Sequence, residues 1–301
     1  MRFGIIIAAS LLVVFNILHA DDVPPISPLL MESTFKIEGA TSDGRGMLGT
    51  CFILSKIAGT NWGWNILVTA NHVLSGIATD EATLHLRQTN EAGVFTNFSF
   101  SLKIRDKGKP LWVRHPEADV AAIFLSLPKQ FVGSHHWITS EMLAGDELFK
   151  RMDVRPGDEL MCLGYPLGLE SGGVGGFPIL RSGRIASYPI WPSSQAKTFL
   201  LDMTTYGGNS GGPVFFDFRK RELPGLSSSQ WVNQIGIAGL VSEDIRKMEH
   251  SEGYFGNSTL NMPLGIAIVV PAEFIKQTVD MVSTSPQDSL RTNATSSGAN
   301  K

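Results

Sequence analysis

Apolar residues along this chain recur in short β-rich runs broken by Gly, Pro, Asn and Asp, and each run reads as a strand. Such runs occur near residues 33–38, 46–54, 65–69, 83–88, 94–104 and 120–126, then near 159–164, 178–188, 198–203, 212–216, 233–241 and 264–270. Between the two sets, Pro128 to Pro156 lacks clean alternation and is expected to be a connector, with a helical turn at Ser140–Leu148. The spacing turns helical at Pro271–Val279, where proline opens the segment and Phe274, Ile275 and Val279 fall on one stripe. The pattern predicts an all-β protein of two six-stranded antiparallel barrels with a C-terminal helix. The first barrel is expected over 21–127, the connector over 128–157, and the second barrel with the helix over 158–283.

Both ends differ from this pattern. Met1-Arg2 followed by the apolar stretch Ile5–Leu18 and by Leu18-His19-Ala20 has the form of an export signal over 1–20, with an uncleaved amino-terminal anchor as the alternative. Export would place the mature protein in a periplasm or outside the cell, with no stable membrane insertion after cleavage. The stretch 284–301 is rich in Ser, Asn and Thr and is expected to be disordered.

Composition narrows the classes without choosing among them. The 301 residues are 43% hydrophobic and 18% charged with 31 Gly and 16 Pro, which suits a loop-rich β protein with a sizeable core. The net charge of −3 and the lack of a face-sized Lys/Arg cluster give no reason to expect a nucleic-acid partner, and Arg219-Lys220-Arg221 reads as a solvated loop. Cys51 and Cys162 fall in strands of different predicted barrels, so two separate buried thiols are expected. The sequons at Asn97, Asn257 and Asn293 matter only in a eukaryotic secretory pathway. His135-His136 has no cysteine or acid spaced for a metal, and no metal site or cofactor is expected. Gly172-Gly173-Val174-Gly175-Gly176 lacks the Lys-Ser/Thr pair of a phosphate loop and reads as a mobile loop near a cleft.

Candidate chemistry concentrates in three segments. Gly208-Asn209-Ser210-Gly211-Gly212-Pro213 puts a serine on a turn whose glycines leave backbone amides open to an oxyanion. The donors would be the N–H groups of Gly208 and Ser210, in an oxyanion loop of Gly208, Asn209 and Ser210. Ile66 to Leu74 is an apolar strand that presents His72 where it stops, and Glu117 to Leu125 opens a second buried strand with Asp119. Histidine titrates near neutrality and can take a hydroxyl proton, while an acid behind it fixes the tautomer and stabilises the imidazolium. Each residue alone has an ordinary explanation as a surface histidine or a turn aspartate. Their joint occurrence, in the order His, Asp, Ser, points to Ser210 as nucleophile, His72 as base and Asp119 as orienter.

These segments resemble those of the trypsin-like (chymotrypsin-fold) serine proteases. Leu200–Ser210, with Asn209 before the serine, is similar to the high-temperature-requirement (Deg/HtrA-like) branch, as are Gly49–Leu54, Gly164-Tyr165-Pro166-Leu167-Gly168-Leu169, Arg181–Ser187, Ile235–Ala238 and Gly265–Pro271. The resemblance spans about Ile37 to Val279. It implies a two-barrel fold and an endopeptidase acting on polypeptides through an acyl-enzyme, with unfolded exported proteins as candidate substrates, and it leaves open a trimer built through amino-terminal segments. It also implies a specificity pocket lined by Thr204, Thr205, Ala238, Gly239, Leu240 and Val241. None of these is an acid and Val241 narrows the entrance, so cleavage after Val, Ala, Ile or Thr is expected. Asp202 is expected to steady the loop by hydrogen bonding, with an acid in the pocket as the alternative. Two departures from that branch are expected: no PDZ domain, because few residues follow the terminal helix, and an insert at 217–231 that is peripheral, with a partner site as the alternative. The alternative from the same fold is a catalytically silent binding or chaperone-like module.

Overall fold

The computed structural model describes residues 25–57, 63–90, 92–128, 131, 138–172, 175–223, 231–253 and 256–283. The expected export signal, the Ser-rich tail and His135-His136 lie outside the described residues.

The first half opens with helix α1 (Ile26–Ser33), followed by β1 (Thr34–Ala40), β2 (Gly46–Ile57) and β3 (Gly63–Thr69). The short helix α2 (Asn71–Gly76) leads to β4 (Glu81–Thr89), β5 (Phe95–Lys103), the small pair β6 (Arg105–Asp106) and β7 (Lys109–Pro110), then β8 (Val113–Arg114) and β9 (Ala121–Leu125). These pair in the order β5-β4-β1-β2-β3-β9-β8, and β10 (Ile138–Thr139) lies parallel along β2. The six strands expected here are thus joined by β8 and β10 into one eight-stranded sheet. Strands of two residues are too short to show any periodicity in sequence.

The second half begins with helix α3 (Asp146–Arg151). Six strands follow: β11 (Glu159–Gly164), β12 (Ile179–Ile185), β13 (Phe199–Asp202), β14 (Pro213–Glu222), β15 (Trp231–Gly253) and β16 (Gly256–Pro271). They close into a barrel in the order β11-β12-β13-β16-β15-β14. Helix α4 (Ala272–Ser283) ends the described chain. The all-β class, the closed six-stranded second half and the C-terminal helix agree with the pattern in the sequence.

Three segments differ from expectation. The stretch expected as connector contributes β10, and its helical turn divides into a 3-10 turn at Ser140–Met142 and α3. That helix has Asp146 and Glu147 in its first turn and Lys150 and Arg151 in its last, charges placed to suit the helix dipole. The described part of the expected insert is mostly strand, because β14 continues to Glu222 opposite Trp231, while residues 224–230 lie outside the described residues. Finally, β15 and β16 run well past 241 and 264 as a paired ribbon reaching Gly253 opposite Gly256, with register shifts between Val241 and Glu243 and between Asp244 and Arg246.

Packing explains how the halves hold together. In β4 the alternate residues Ala82, Leu84 and Leu86 are buried, the period of a strand with one face in a core. In β3 and β9 successive residues are buried, Ile66-Leu67-Val68 and Ala121-Ala122-Ile123, because both faces of these strands are covered. Helix α4 packs against β8, β9 and β15, presenting Ala272, Phe274, Ile275, Val279 and Val282. Burial of each large apolar side chain in that stripe contributes roughly 1.5–3 kcal/mol. The helix that follows the second half therefore lies on β9, the strand that Asp119 precedes.

Candidate active site

Adjacent strands bring two of the candidates together. β3 pairs with β9 so that Thr69 lies opposite Ala121, which puts the residues just after β3 beside those just before β9. His72, in α2, and Asp119 meet there. The His72 backbone N–H donates to Asp119 Oδ1 at 2.9 Å, and His72 Nδ1 is 2.7 Å from Asp119 Oδ2. A carboxylate accepts only, so Nδ1 carries the proton and Nε2 is left as the acceptor. Ser242 Oγ donates to the same Oδ2 at 2.6 Å, a third bond on one carboxylate.

These contacts displace both titrations. Burial would lower the His72 pKa, yet the hydrogen bond and charge of Asp119, with the charge of Glu243, outweigh it and leave His72 above its ordinary 6.5. Burial would raise Asp119, but the hydrogen bond and charge of His72, with the bonds from Ser242 and the His72 backbone, hold it below its ordinary value.

The turn carrying Asp119 is itself fixed. His115, 8% exposed, accepts from the N–H groups of Glu117 and Ala118 at 3.1 Å through Nδ1. Its Nε2 lies 3.0 Å from Gln277 Oε1 of α4, and its ring meets Phe274 edge-on at 4.8 Å. With Nδ1 accepting twice, the proton belongs on Nε2, where it is donated to Gln277.

Ser210 arrives from the loop between β13 and β14. Thr50 is the hub that seats this loop on the first sheet. Its N–H donates to Ser210 O at 2.8 Å and its Oγ1 to Gly208 O at 2.6 Å, while it accepts from Tyr165 N–H at 3.2 Å. Only glycine fits two positions here. Gly208 has φ +101 and a Cβ would lie 2.2 Å from Tyr165 O; Gly211 has φ +87 and a Cβ would lie 2.1 Å from Thr50 O.

The amides divide cleanly. Asn209 N–H donates to Tyr206 O at 3.0 Å, Gly211 N–H to Val241 O at 2.7 Å and Gly212 N–H to Asn209 O at 2.9 Å. Among the described residues the N–H groups of Gly208 and Ser210 have no acceptor. Asn209 therefore belongs to the loop but not to its free donors. The Gly207 carbonyl accepts from Leu167 N–H at 2.7 Å, and because a trans peptide holds C=O and N–H on opposite sides, this bond turns Gly208 N–H away from Leu167.

His72 and Ser210 line one cavity of about 300 Å³ with Thr205, Tyr206, Gly207, Asn209, Val241 and Glu243. Among the described residues no hydrogen bond joins Ser210 Oγ to His72. Such contacts are often long before substrate binds. Of the six pocket residues expected from sequence, Thr205 and Val241 line the cavity. Ala238, Gly239 and Leu240 are buried in the barrel wall, and Thr204 lies beside Gly265. The offset follows from the strand: Gly239 and Leu240 are paired on both sides, with β14 and β16, and the side chains of Ala238 and Leu240 sit in the two cores. Asp202 is exposed on β13, and among the described residues its carboxylate holds nothing in the loop. Sequence reasoning missed Tyr206, Ser242, Glu243 and His115. Ser242 and Glu243 directly follow Val241, so one more step along the strand would have reached them. His115 carried no local signal.

No described helix is long and apolar enough to cross a membrane. The cysteines are free and buried, Cys51 in the first core and Cys162 in the second.

A family model described as trypsin-like peptidase domain matches residues 49–226, a span that includes His72, Asp119 and Ser210. No curated protein matches the sequence. Among solved structures, the protease Anisep from Arthrobacter nicotinovorans is similar at 18% identity, with 85% of this chain and 97% of that one covered and a TM-score of 0.46. The thermostable serine protease AL20 from an extremophilic microorganism is similar at 16% identity, with 85% and 98% covered and a TM-score of 0.45. Human heparin binding protein is similar at 12% identity, with 86% and 94% covered and a TM-score of 0.46.

Proposed function

Because the chain belongs to the family of trypsin-like peptidase domains, we propose that it is a serine endopeptidase with Ser210 as nucleophile, His72 as general base and acid, and Asp119 as the residue that orients His72. The observation that carries this reading is one cavity holding Ser210 and a His72 whose Nδ1 proton is engaged by Asp119, next to a loop in which the amides of Gly208 and Ser210 have no acceptor among the described residues.

Ser210 Oγ attacks the scissile carbonyl carbon as its proton passes to His72 Nε2, the C=O electron pair moves to oxygen, and the oxyanion is held by Gly208 and Ser210 N–H. Collapse of the tetrahedral intermediate breaks the C–N bond, with the His72 proton going to the leaving amine. Water, deprotonated by His72, then releases the acyl group and restores Ser210. Asp119 stays ionised throughout, consistent with its lowered pKa.

The side chain before the cut is small or medium and apolar, or threonine. Val241 narrows the cavity, and the buried Thr205 Oγ1, without a partner among the described residues, suits a substrate hydroxyl. The Asn209-Ser210 pairing and the turn at Gly164–Leu169 favour the Deg/HtrA-like branch, and the apolar stretch at Ile5–Leu18 favours export to a periplasm or beyond, where unfolded proteins would be substrates. A trimer through the amino-terminal segment fits that branch.

The test is a fluorophosphonate probe applied to the protein and to Ser210→Ala, with hydrolysis of an unfolded protein followed in parallel. Labelling and hydrolysis are expected together in the first and in neither form of the mutant. A folded wild type that takes no label would overturn the proposal in favour of a catalytically silent module.

A further inference from the structure

Arg87, on β4, is 2% exposed, and among the described residues no carboxylate pairs with it. A guanidinium withdrawn from water without a counter-ion is costly, so its hydrogen bonds must be nearly complete. They come from three separate places. Nη2 donates to the carbonyls of Met31 at 2.8 Å, Glu32 at 3.1 Å and Thr34 at 2.5 Å, where α1 passes into β1. Nη1 donates to Tyr165 Oη and to the Gly176 carbonyl, each at 3.0 Å. Phe35 and Phe177 cover the two faces, 4.4 and 4.5 Å from the guanidinium carbon.

Tyr165 and Gly176 bracket the segment that supports the oxyanion loop. Tyr165 Oη donates onward to Gly176 O at 2.9 Å, and the Tyr165 carbonyl packs so closely on Gly208 that no Cβ fits between them. Two residues on, Leu167 N–H holds the Gly207 carbonyl and so the direction of Gly208 N–H. Leu167 has φ +54 and is 68% exposed, a strained position that neither side-chain burial nor its own preference maintains. What fixes it is anchoring of the segment on either side. Arg87 binds both ends, and Lys36 adds an ion pair to Glu170 at 2.5 Å.

We propose that Arg87 is a positioning residue for the oxyanion hole: through Tyr165 and Gly176 it holds the turn whose Leu167 amide orients the Gly207–Gly208 peptide, and the same guanidinium ties that turn to the amino-terminal segment at Met31–Thr34. The inference rests on the reading of Gly208 and Ser210 as oxyanion donors. A residue acting this way affects the tetrahedral state and leaves ground-state binding alone.

The experiment compares wild type, Arg87→Met and Tyr165→Phe for kcat and KM on a short peptide amide, for inhibition by the matching peptide aldehyde, and for thermal midpoint. Arg87→Met is expected to lower kcat and aldehyde affinity by about tenfold or more, short of the roughly hundredfold or greater loss on deleting a donor, with KM within about twofold. Tyr165→Phe keeps the ring and the Arg87 carbonyl bonds and is expected to move the same two quantities by about threefold. If Arg87→Met fails to fold, Tyr165→Phe decides. Variants that lower only the thermal midpoint, with kcat and aldehyde affinity as in wild type, would overturn the proposal and leave Arg87 a structural clamp. An inactive wild type would instead overturn the protease reading itself.

Discussion

Replacing Asp119 by Asn tests the arrangement at its most informative point, because the two side chains have the same shape and differ in what they can accept. Asp119 takes three hydrogen bonds, from His72 N–H, from His72 Nδ1–H and from Ser242 Oγ–H. Asparagine has one oxygen. If it stays beneath the backbone N–H, the Nδ2 amide faces His72 Nδ1 and donates to it, which drives the imidazole proton to Nε2. The base is then protonated at the atom that must receive the Ser210 proton. Loss of the correct tautomer costs on the order of ten-thousandfold in kcat, about 5.4 kcal/mol of transition-state stabilisation. The pH dependence carries a second signature. In the proposed mechanism neutral His72 is the active base, and its folded pKa is raised above 6.5, so kcat/KM in the wild type should fall as pH drops through a value above 6.5. In Asp119→Asn the hydrogen bond and charge of Asp119 are gone while burial, the largest influence and one that lowers the pKa, remains with the smaller raising charge of Glu243, so the acid limb should move to lower pH than in the wild type. The assay is kcat/KM on a peptide amide from pH 5 to 9 or so, with circular dichroism to establish folding. A folded variant within about tenfold of wild type, with its acid limb unmoved, would refute the assignment of Asp119 as orienter.

Two further outcomes follow from the same geometry. Glu243 is an exposed carboxylate that lines the cavity and whose charge acts on His72, so peptides with Lys or Arg within a few residues of the cut should be favoured; Glu243→Lys should reverse that preference in a peptide-library digest, and an unchanged profile would place Glu243 outside the substrate path. Burial pushes the Cys162 thiol up to about 12 and raises Cys51 further, so neither should react with iodoacetamide in the native protein while both react once it is unfolded, and recovery of a Cys51–Cys162 disulfide would contradict the separate-core arrangement.

What could be read from sequence and what could not follows from where each residue's partners lie. His72 and Asp119 were legible because each sits at the end of an apolar run, and two strands paired with Thr69 opposite Ala121 necessarily end side by side. Ser210 was legible because the glycines around it are demanded by backbone atoms only a loop's width away, the Tyr165 carbonyl at Gly208 and the Thr50 carbonyl at Gly211. The strand pattern found the six-stranded closure of the second half and missed β8 and β10, which are too short for a period, and the far end of the β15–β16 ribbon, whose pairing reaches Gly253 and Gly256. Arg87 shows the deeper limit. Along β4 the buried set is Ala82, Leu84 and Leu86, so alternation assigns Arg87, with Thr83 and His85, to the open face. That face is open only over part of the strand. At Arg87 it is covered by a segment nearly eighty residues away in sequence, whose Gly176 carbonyl and Tyr165 hydroxyl replace part of the water the guanidinium would otherwise keep. Binary pattern reports which side of a strand meets its own core; it carries no information about what a distant loop lays over the other side. The residues proposed to carry the chemistry were therefore visible in local sequence, while those proposed to hold it in place, Arg87, His115 and Ser242, make contacts that exist only after the two halves have closed.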